Sequence, residues 1–102
     1  MKEIIVTQRF TRDVQRIKRA LKHDIGDWQT LEYVLELLQQ GRTLPDGFKD
    51  HALLYSLSGF REFHMDGDWL VIYRNRPNAI VLQRTGTHGD LFRRRPARSR
   101  KK

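Results

Sequence analysis

The sequence of 102 residues contains no cysteine and only three prolines, and its longest apolar run is Trp69–Tyr73. The absence of cysteine excludes disulfides, thiolate nucleophiles and metal sites with cysteine ligands. A membrane-spanning helix needs about 20 apolar residues, so none is predicted. The N-terminal residues also lack the apolar segment of a signal peptide, because Gln8, Arg9 and Arg12 follow Val6 closely. These absences predict a cytoplasmic protein without a membrane partner.

The positive charge of the chain is concentrated at one end. The formal net charge is +8, yet residues 93–102 hold seven basic side chains and no acidic one, which leaves residues 1–92 with a net charge of +1. A block of like charge repels itself and buries nothing, so we predict one folded domain at 1–92 and a disordered tail at 93–102. The tail is interpreted either as a phosphate-binding arm for nucleic acid or as a solubilising extension.

Two amphipathic helices are predicted in the first half of the chain. The first has an apolar stripe whose members recur at steps of four, three and four: Phe10, Val14, Ile17 and Leu21. The pattern breaks at 23–27, and Asp27 is the predicted N-cap of the second helix. The stripe of that helix comprises Trp28 or Leu31, then Val34, Leu35 and Leu38. Gly41 is suited to end it, and the short link predicts a helical hairpin.

The remaining sequence has the alternation and turn residues of strands. One strand is predicted before the helices, at 2–7, and four after them, at 52–57, 60–65, 68–74 and 79–85. Asp66-Gly67 reads as a two-residue hairpin turn, which would pair His64 with Trp69. A short helix or a turn is expected at 88–94. The resulting order, β-α-α-β-β-β-β, predicts an α+β fold in which the helix hairpin covers one face of a mostly antiparallel sheet.

Three histidines at element boundaries are the candidate catalytic residues: His51, His64 and His88. An imidazole gives and takes protons near neutral pH, and Asp68 lies close to His64 in the chain. Such groups suit transesterification of RNA, in which one group removes the proton of the 2′-hydroxyl and another protonates the departing 5′-oxygen. RNA supplies its own nucleophile in this reaction, so neither a metal nor another cofactor is predicted.

Four further residues are candidates for binding the substrate. Arg61 or Arg84 can stabilise the charge that builds on phosphorus, and Trp69 and Phe92 can stack on splayed bases. Three of them have a plainer interpretation: the two arginines as ordinary surface charges, and Trp69 as part of the core. A zinc site formed by the histidines and Asp68 is a further alternative, although no two of these histidines have the tight spacing of a metal motif.

Four segments, at 49–51, 59–64, 68–73 and 84–92, together resemble the YafQ-type branch of the RelE/ParE toxin superfamily. The last segment, Arg-Thr-Gly-Thr-His-x-Asp-Leu-Phe, is the most specific, and the resemblance covers residues 1–92. It implies a RelE-like fold and a bacterial type II toxin that cuts mRNA in the ribosomal A site. The functional positions of the family correspond here to His51, His64, Asp68, Trp69, His88 and Phe92. Arg61 matches, more weakly, a phosphate-stabilising arginine of other branches.

The resemblance also implies roles and partners. His88 would be the general acid, Asp68 or His64 the base, and His51 would orient or stabilise the phosphate. The expected partners are a cognate antitoxin, the 70S ribosome with mRNA in its A site, and operator DNA only through the antitoxin, and the free toxin is expected to be a monomer. An acidic antitoxin segment would match the basic helix at 9–22 or the tail. The alternative is a non-enzymatic module, either a ParE-like gyrase inhibitor or a DNA-binding co-repressor.

Overall fold

The structure is a computed structural model that describes residues 1–21 and 25–92, so the predicted tail at 93–102 lies outside the described residues. The elements are β1 (Glu3–Val6), α1 (Gln8–Leu21), α2 (Ile25–Gln39), β2 (His51–Ala52), β3 (Arg61–His64), β4 (Leu70–Asn75), β5 (Ala79–Gly86) and α3 (His88–Phe92). This order confirms the predicted α+β class. Within the described ranges, no helix has the length and apolar character needed to cross a membrane.

The five strands form one sheet in the order β1-β5-β4-β3-β2. β1 runs parallel to β5, and every other neighbouring pair is antiparallel. The N-terminal strand therefore lies beside the C-terminal one, in a sheet that is mostly antiparallel as predicted. The antiparallel pairing brings the end of β3, the start of β4 and the end of β5 together, and the candidate site lies at this end of the sheet.

The two long helices pack against one face of the sheet, and the members of the predicted stripes whose side chains the structure describes are buried or half-buried there. Thr7 caps α1, since its Oγ1 accepts a hydrogen bond of 3.0 Å from the Phe10 amide. The core joins residues of α1, α2 and the central strands: Phe10, Ile17, Leu31, Val34, Leu38, Phe63, Met65, Trp69, Val71, Tyr73, Ile80 and Leu82. Burial of each large apolar side chain contributes about 1.5–3 kcal/mol, so this layer is the main stabilising feature of the fold.

The sequence prediction is wrong at the start of α2 and confirmed at its end. The helix begins at Ile25, so Asp27 lies in its first turn, and the prediction of Asp27 as N-cap is wrong. Gly41 ends the helix as predicted, with a positive φ of 74°. Its amide donates to the Leu38 carbonyl, and the Arg42 amide donates to that of Leu37. These bonds satisfy carbonyls in the last turn of the helix.

The predicted strand at 52–57 is wrong. β2 ends at Ala52, and although the Leu53 amide still donates to the Phe60 carbonyl, the chain then enters a 3₁₀ turn at Tyr55–Leu57. Apolar residues in this segment resemble those of a strand, but Tyr55 has a φ of 58°, which lies outside the extended region. The segment therefore does not continue β2, and its side chains Leu54 and Tyr55 are exposed.

The predicted pairing of His64 with Trp69 is also wrong, by one residue. His64 pairs with Leu70, because the connection at Asp66–Asp68 is longer than a two-residue turn and is closed by a bond from the Met65 amide to the Trp69 carbonyl. A shift of one residue exchanges the two faces of a strand. Trp69 consequently lies in the core beneath the helices.

Candidate active site

The structure brings the three predicted histidines into one row. The ring centroids of His51 and His64 are 5.8 Å apart, and those of His64 and His88 are 5.9 Å apart. Phe92 continues the row, with its ring centroid 5.8 Å from that of His88. His51, His64 and His88, here called the histidine row, therefore come from β2, β3 and α3 to one surface.

The sheet register explains how His51 and His64 meet. His51 pairs with Glu62 across β2 and β3, so both side chains lie on the same face. His64 follows Glu62 by two positions and therefore shares that face. The three side chains consequently form a compact group on the face opposite the core residue Phe63.

The specific motif at 84–92 places His88 at the start of α3. The Asp90 amide donates to Thr87 Oγ1, and the Thr87 amide donates to Asp90 Oδ2, both at 3.1 Å. This reciprocal arrangement is a capping box, with aspartate in place of the usual glutamate. A Cβ atom at Gly86 would lie 3.0 Å from Asp90 Oδ2, which explains the glycine there. The capping box and this glycine therefore position His88 beside His64.

Asp68 holds the ring of His88. Its Oδ1 lies 2.9 Å from Nδ1 of His88, and the hydrogen bond with this ring holds the pKa of Asp68 below its usual value. More than half of each side chain is exposed. Since Nδ1 is engaged by the carboxylate, Nε2 is the nitrogen of His88 that is left to exchange a proton with a substrate.

Glu62 is a member of the site that the sequence interpretation missed. The Glu62 Oε2 atom lies 3.3 Å from Nε2 of His51 and 3.3 Å from Nε2 of His64. Only 4% of the residue is exposed, and its Oε1 is buried without a hydrogen-bond partner among the described residues. The signal that could have revealed it is the i, i+2 spacing of Glu62 and His64 in a predicted strand.

His51 is fixed from both sides of its ring. Its Nδ1 lies 2.7 Å from the Lys49 carbonyl oxygen, so this nitrogen carries a proton and donates it. Its Nε2 faces Glu62.

His51, Glu62 and His64 also form a group that could hold a metal ion. One ligand atom from each of these three residues lies within 4.8 Å of the other two. Two imidazoles and a carboxylate are ligands that zinc and copper accept, so this part of the site fits a transition metal chemically.

Trp69 does not fit the predicted stacking role. It is 3% exposed, its Nε1 donates to Thr85 Oγ1 at 2.6 Å, and its ring lies edge-on to Trp28 at 4.9 Å. A ring enclosed by protein offers no free face to a base. Its structural contribution is to join β4 to the motif at 84–92 through Thr85. Phe92, by contrast, is half-buried beside His88.

The two candidate arginines are not part of the histidine row. Arg84 donates from Nε and from a terminal nitrogen to the buried carboxylate of Asp13, at 2.7 Å and 3.2 Å. Arg61 bonds to Asp50 at 3.1 Å. Because Arg61 precedes Glu62 in β3, its side chain leaves the opposite face of the sheet. Both guanidinium groups are held by carboxylates that belong to the fold.

Both a family model and a curated relative match this chain over about nine-tenths of its length. The family described as the bacterial toxin of type II toxin-antitoxin system, YafQ, matches residues 2–93. The mRNA interferase toxin YafQ of Escherichia coli BL21-DE3 is 34% identical over 92 residues, covering 89% of this chain and 96% of that protein.

Two solved structures extend the similarity to three dimensions. The toxin in the E. coli DinJ-YafQ complex is 33% identical with a TM-score of 0.76, and the match covers 90% of this chain and 99% of that one. A copper-bound mutant toxin from Helicobacter pylori is 27% identical with a TM-score of 0.80, covering 90% and 100%.

The RelE-like fold, the exposed histidine row and these relatives define an endoribonuclease of the toxin class. The chain belongs to the YafQ family of bacterial type II toxin-antitoxin toxins. The resemblance expressed by the four sequence segments is thereby confirmed.

Proposed function

We propose that this toxin cleaves translated mRNA in the A site of the 70S ribosome by attack of the RNA 2′-hydroxyl on the adjacent phosphate. The observation that carries the proposal is the histidine row with Asp68 at its exposed end. Three imidazoles in a row, each close to the next, supply both partners of an acid–base pair on one surface. The relatives named mRNA interferase support RNA as the substrate.

The arrangement favours His64 as the base and His88 as the acid. His64 accepts the proton of the 2′-hydroxyl, the oxygen forms a bond to phosphorus, and the bond from phosphorus to the 5′-oxygen breaks. His88 gives its proton to that 5′-oxygen, so the products are a 2′,3′-cyclic phosphate and a 5′-hydroxyl. Asp68 is the poorer base because its hydrogen bond with His88 lowers its pKa. Its role is to orient His88.

The remaining members of the row contact the substrate in this proposal. His51, whose ring nitrogens are held by the Lys49 carbonyl and by Glu62, borders the phosphate and orients it over the row. Phe92 stacks on a base beside His88, as aromatic side chains do with single-stranded RNA. Arg61 and Arg84 stabilise the fold through Asp50 and Asp13 and take no part in the reaction.

A cognate antitoxin is the proposed protein partner, since the E. coli relative is solved as a complex with DinJ. The exposed basic side chains of α1, among them Arg9, Arg12 and Arg19, complement an acidic antitoxin segment. Contact with operator DNA occurs through the antitoxin. The free toxin is a monomer, with its toxin domain at 1–92 and a basic tail at 93–102. It acts in the cytoplasm, where ribosomes are found.

Mapping RNA ends after brief induction of the toxin tests this function. We expect new 5′-hydroxyl ends inside translated reading frames, at a fixed position within codons, because the ribosome presents the message in register. The matched control is a message whose start codon is removed, which should remain intact. Unchanged RNA ends together with altered DNA supercoiling would instead identify the gyrase-inhibitor alternative.

A further inference from the structure

The turn that follows β2 holds an aromatic residue in an unfavourable backbone conformation. Tyr55 has a φ of 58°, in the left-handed region that residues other than glycine seldom occupy. It is 90% exposed, so its ring adds almost nothing to the core. Strained residues with no role in packing concentrate at binding and catalytic sites. The fold would accommodate glycine here more readily than tyrosine.

The turn borders an apolar groove that begins at the histidine row. Its lining includes Leu54, Tyr55 and Leu57, together with His51 and Phe92 of the candidate site. The groove has a volume of about 480 Å³, within the range of about 300–1,000 Å³ that is typical of small-molecule sites. His51 belongs to both the row and the groove. A substrate whose phosphate lies over the row therefore extends naturally into the groove.

We propose that this groove, called the Tyr55 groove, is a subsite for the base of a nucleotide that flanks the scissile phosphate. The inference rests on the proposed ribonuclease function and adds the residue that holds the substrate. A nucleobase has two flat apolar faces and a polar edge, which match an exposed aromatic ring beside leucines. Stacking of this kind tolerates all four bases and is the usual means of holding single-stranded RNA.

Three substitutions of Tyr55 separate the effect of its ring from the effect of its backbone strain, and a fourth variant serves as the control. Tyr55→Phe keeps the ring, Tyr55→Ala removes the ring and retains the strain, and Tyr55→Gly removes both. Tyr33→Ala is the matched control, because Tyr33 is an exposed tyrosine on α2, away from the groove. Each variant is assayed for cleavage of mRNA bound to 70S ribosomes. Binding of a mixed-sequence hexanucleotide RNA is measured in the His88→Gln background, in which the RNA stays intact.

We expect Tyr55→Ala and Tyr55→Gly to raise KM and the hexanucleotide Kd about tenfold, with kcat within twofold of wild type, since base stacking accounts for that order of affinity. Tyr55→Phe and Tyr33→Ala should stay within twofold of wild type for both KM and Kd.

The melting temperature of Tyr55→Gly should lie about 4 °C above that of Tyr55→Ala, because only glycine is unstrained at this φ. Equal melting temperatures for these two would remove the strain on which the inference rests.

Two further results overturn the subsite while leaving the proposed function intact. The first is an unchanged KM and Kd in Tyr55→Ala while wild type cleaves normally. The second is a tenfold loss of affinity for the cognate antitoxin in Tyr55→Ala with KM unchanged, which would assign the groove to the antitoxin. Absence of cleavage by the wild-type protein itself would instead contradict the proposed function, so the two failures are distinguishable.

Discussion

Replacing His88 by glutamine should reduce cleavage of ribosome-bound mRNA by about 10²- to 10⁴-fold, the range usually contributed by a general acid or base. Glutamine retains hydrogen-bonding groups but cannot deliver a proton at neutral pH. His88 is more than half exposed, so the free energy of unfolding should change by less than about 0.5 kcal/mol. Single-turnover cleavage, measured together with urea unfolding, separates the chemical loss from any structural one.

Two aspartates in the same turn provide matched comparisons for His88. Asp68→Asn weakens the hydrogen bond that orients His88 and should give a smaller loss in kcat than His88→Gln, with KM little changed. Asp66→Asn alters an exposed carboxylate two positions away and should leave kcat within twofold of wild type. A His88→Gln protein that cleaves at the wild-type rate would exclude His88 as the proton donor.

The second large effect is structural and concerns Asp13. This buried carboxylate of α1 accepts bonds from Arg84, from the Thr85 amide and from Arg16, and so joins α1 to the end of β5. Asp13→Ala leaves these donors without their acceptor and should lower the free energy of unfolding by about 2–3 kcal/mol. The urea midpoint should fall by about 1–2 M. Asp46→Ala, an exposed aspartate in a 3₁₀ turn, is the matched control.

The same carboxylate predicts how stability depends on pH. Burial raises the pKa of Asp13, but the hydrogen bonds from Arg84, Thr85 and Arg16 outweigh it, so its pKa in the folded state lies below the ordinary value of 3.8. A depressed pKa contributes stability above about pH 4, and this contribution is lost as the pH falls through the folded-state value. Asp13→Asn should lack this acid-dependent loss. Identical acid-unfolding profiles for wild type and Asp13→Asn would contradict this role.

The elements of this fold could be predicted because their signals are local. The apolar spacing of Phe10 and Ile17 identifies α1, and Gly41 marks the end of α2. The segment at 52–57 could not be predicted in the same way, because its apolar residues fit either a strand or an exposed wall of a groove. The conformation of Tyr55 depends on where the chain must turn toward Phe60, which a local pattern does not express.

The site could be predicted only in part, because its contacts join residues that are far apart in the sequence. The structure brings the histidine row and Asp68 to one surface, whereas in the sequence only the resemblance links these distant positions to one site. The true partners of the two arginines could not be predicted, because Arg84 meets Asp13 across most of the chain. The role of Trp69 depends on one residue of hairpin register. Glu62 resembles a surface charge until its strand face is known.

In the proposed mechanism, the histidine row promotes attack by an RNA 2′-hydroxyl within the ribosome. The most direct measurement uses purified toxin and 70S ribosomes carrying a message with one 2′-deoxynucleotide at the mapped cleavage position. We expect the all-ribose message to be cut to a 2′,3′-cyclic phosphate and a 5′-hydroxyl. The substituted message should stay intact at that position, and the free message should be cut far more slowly. Cleavage of the 2′-deoxy position at the all-ribose rate would contradict this mechanism.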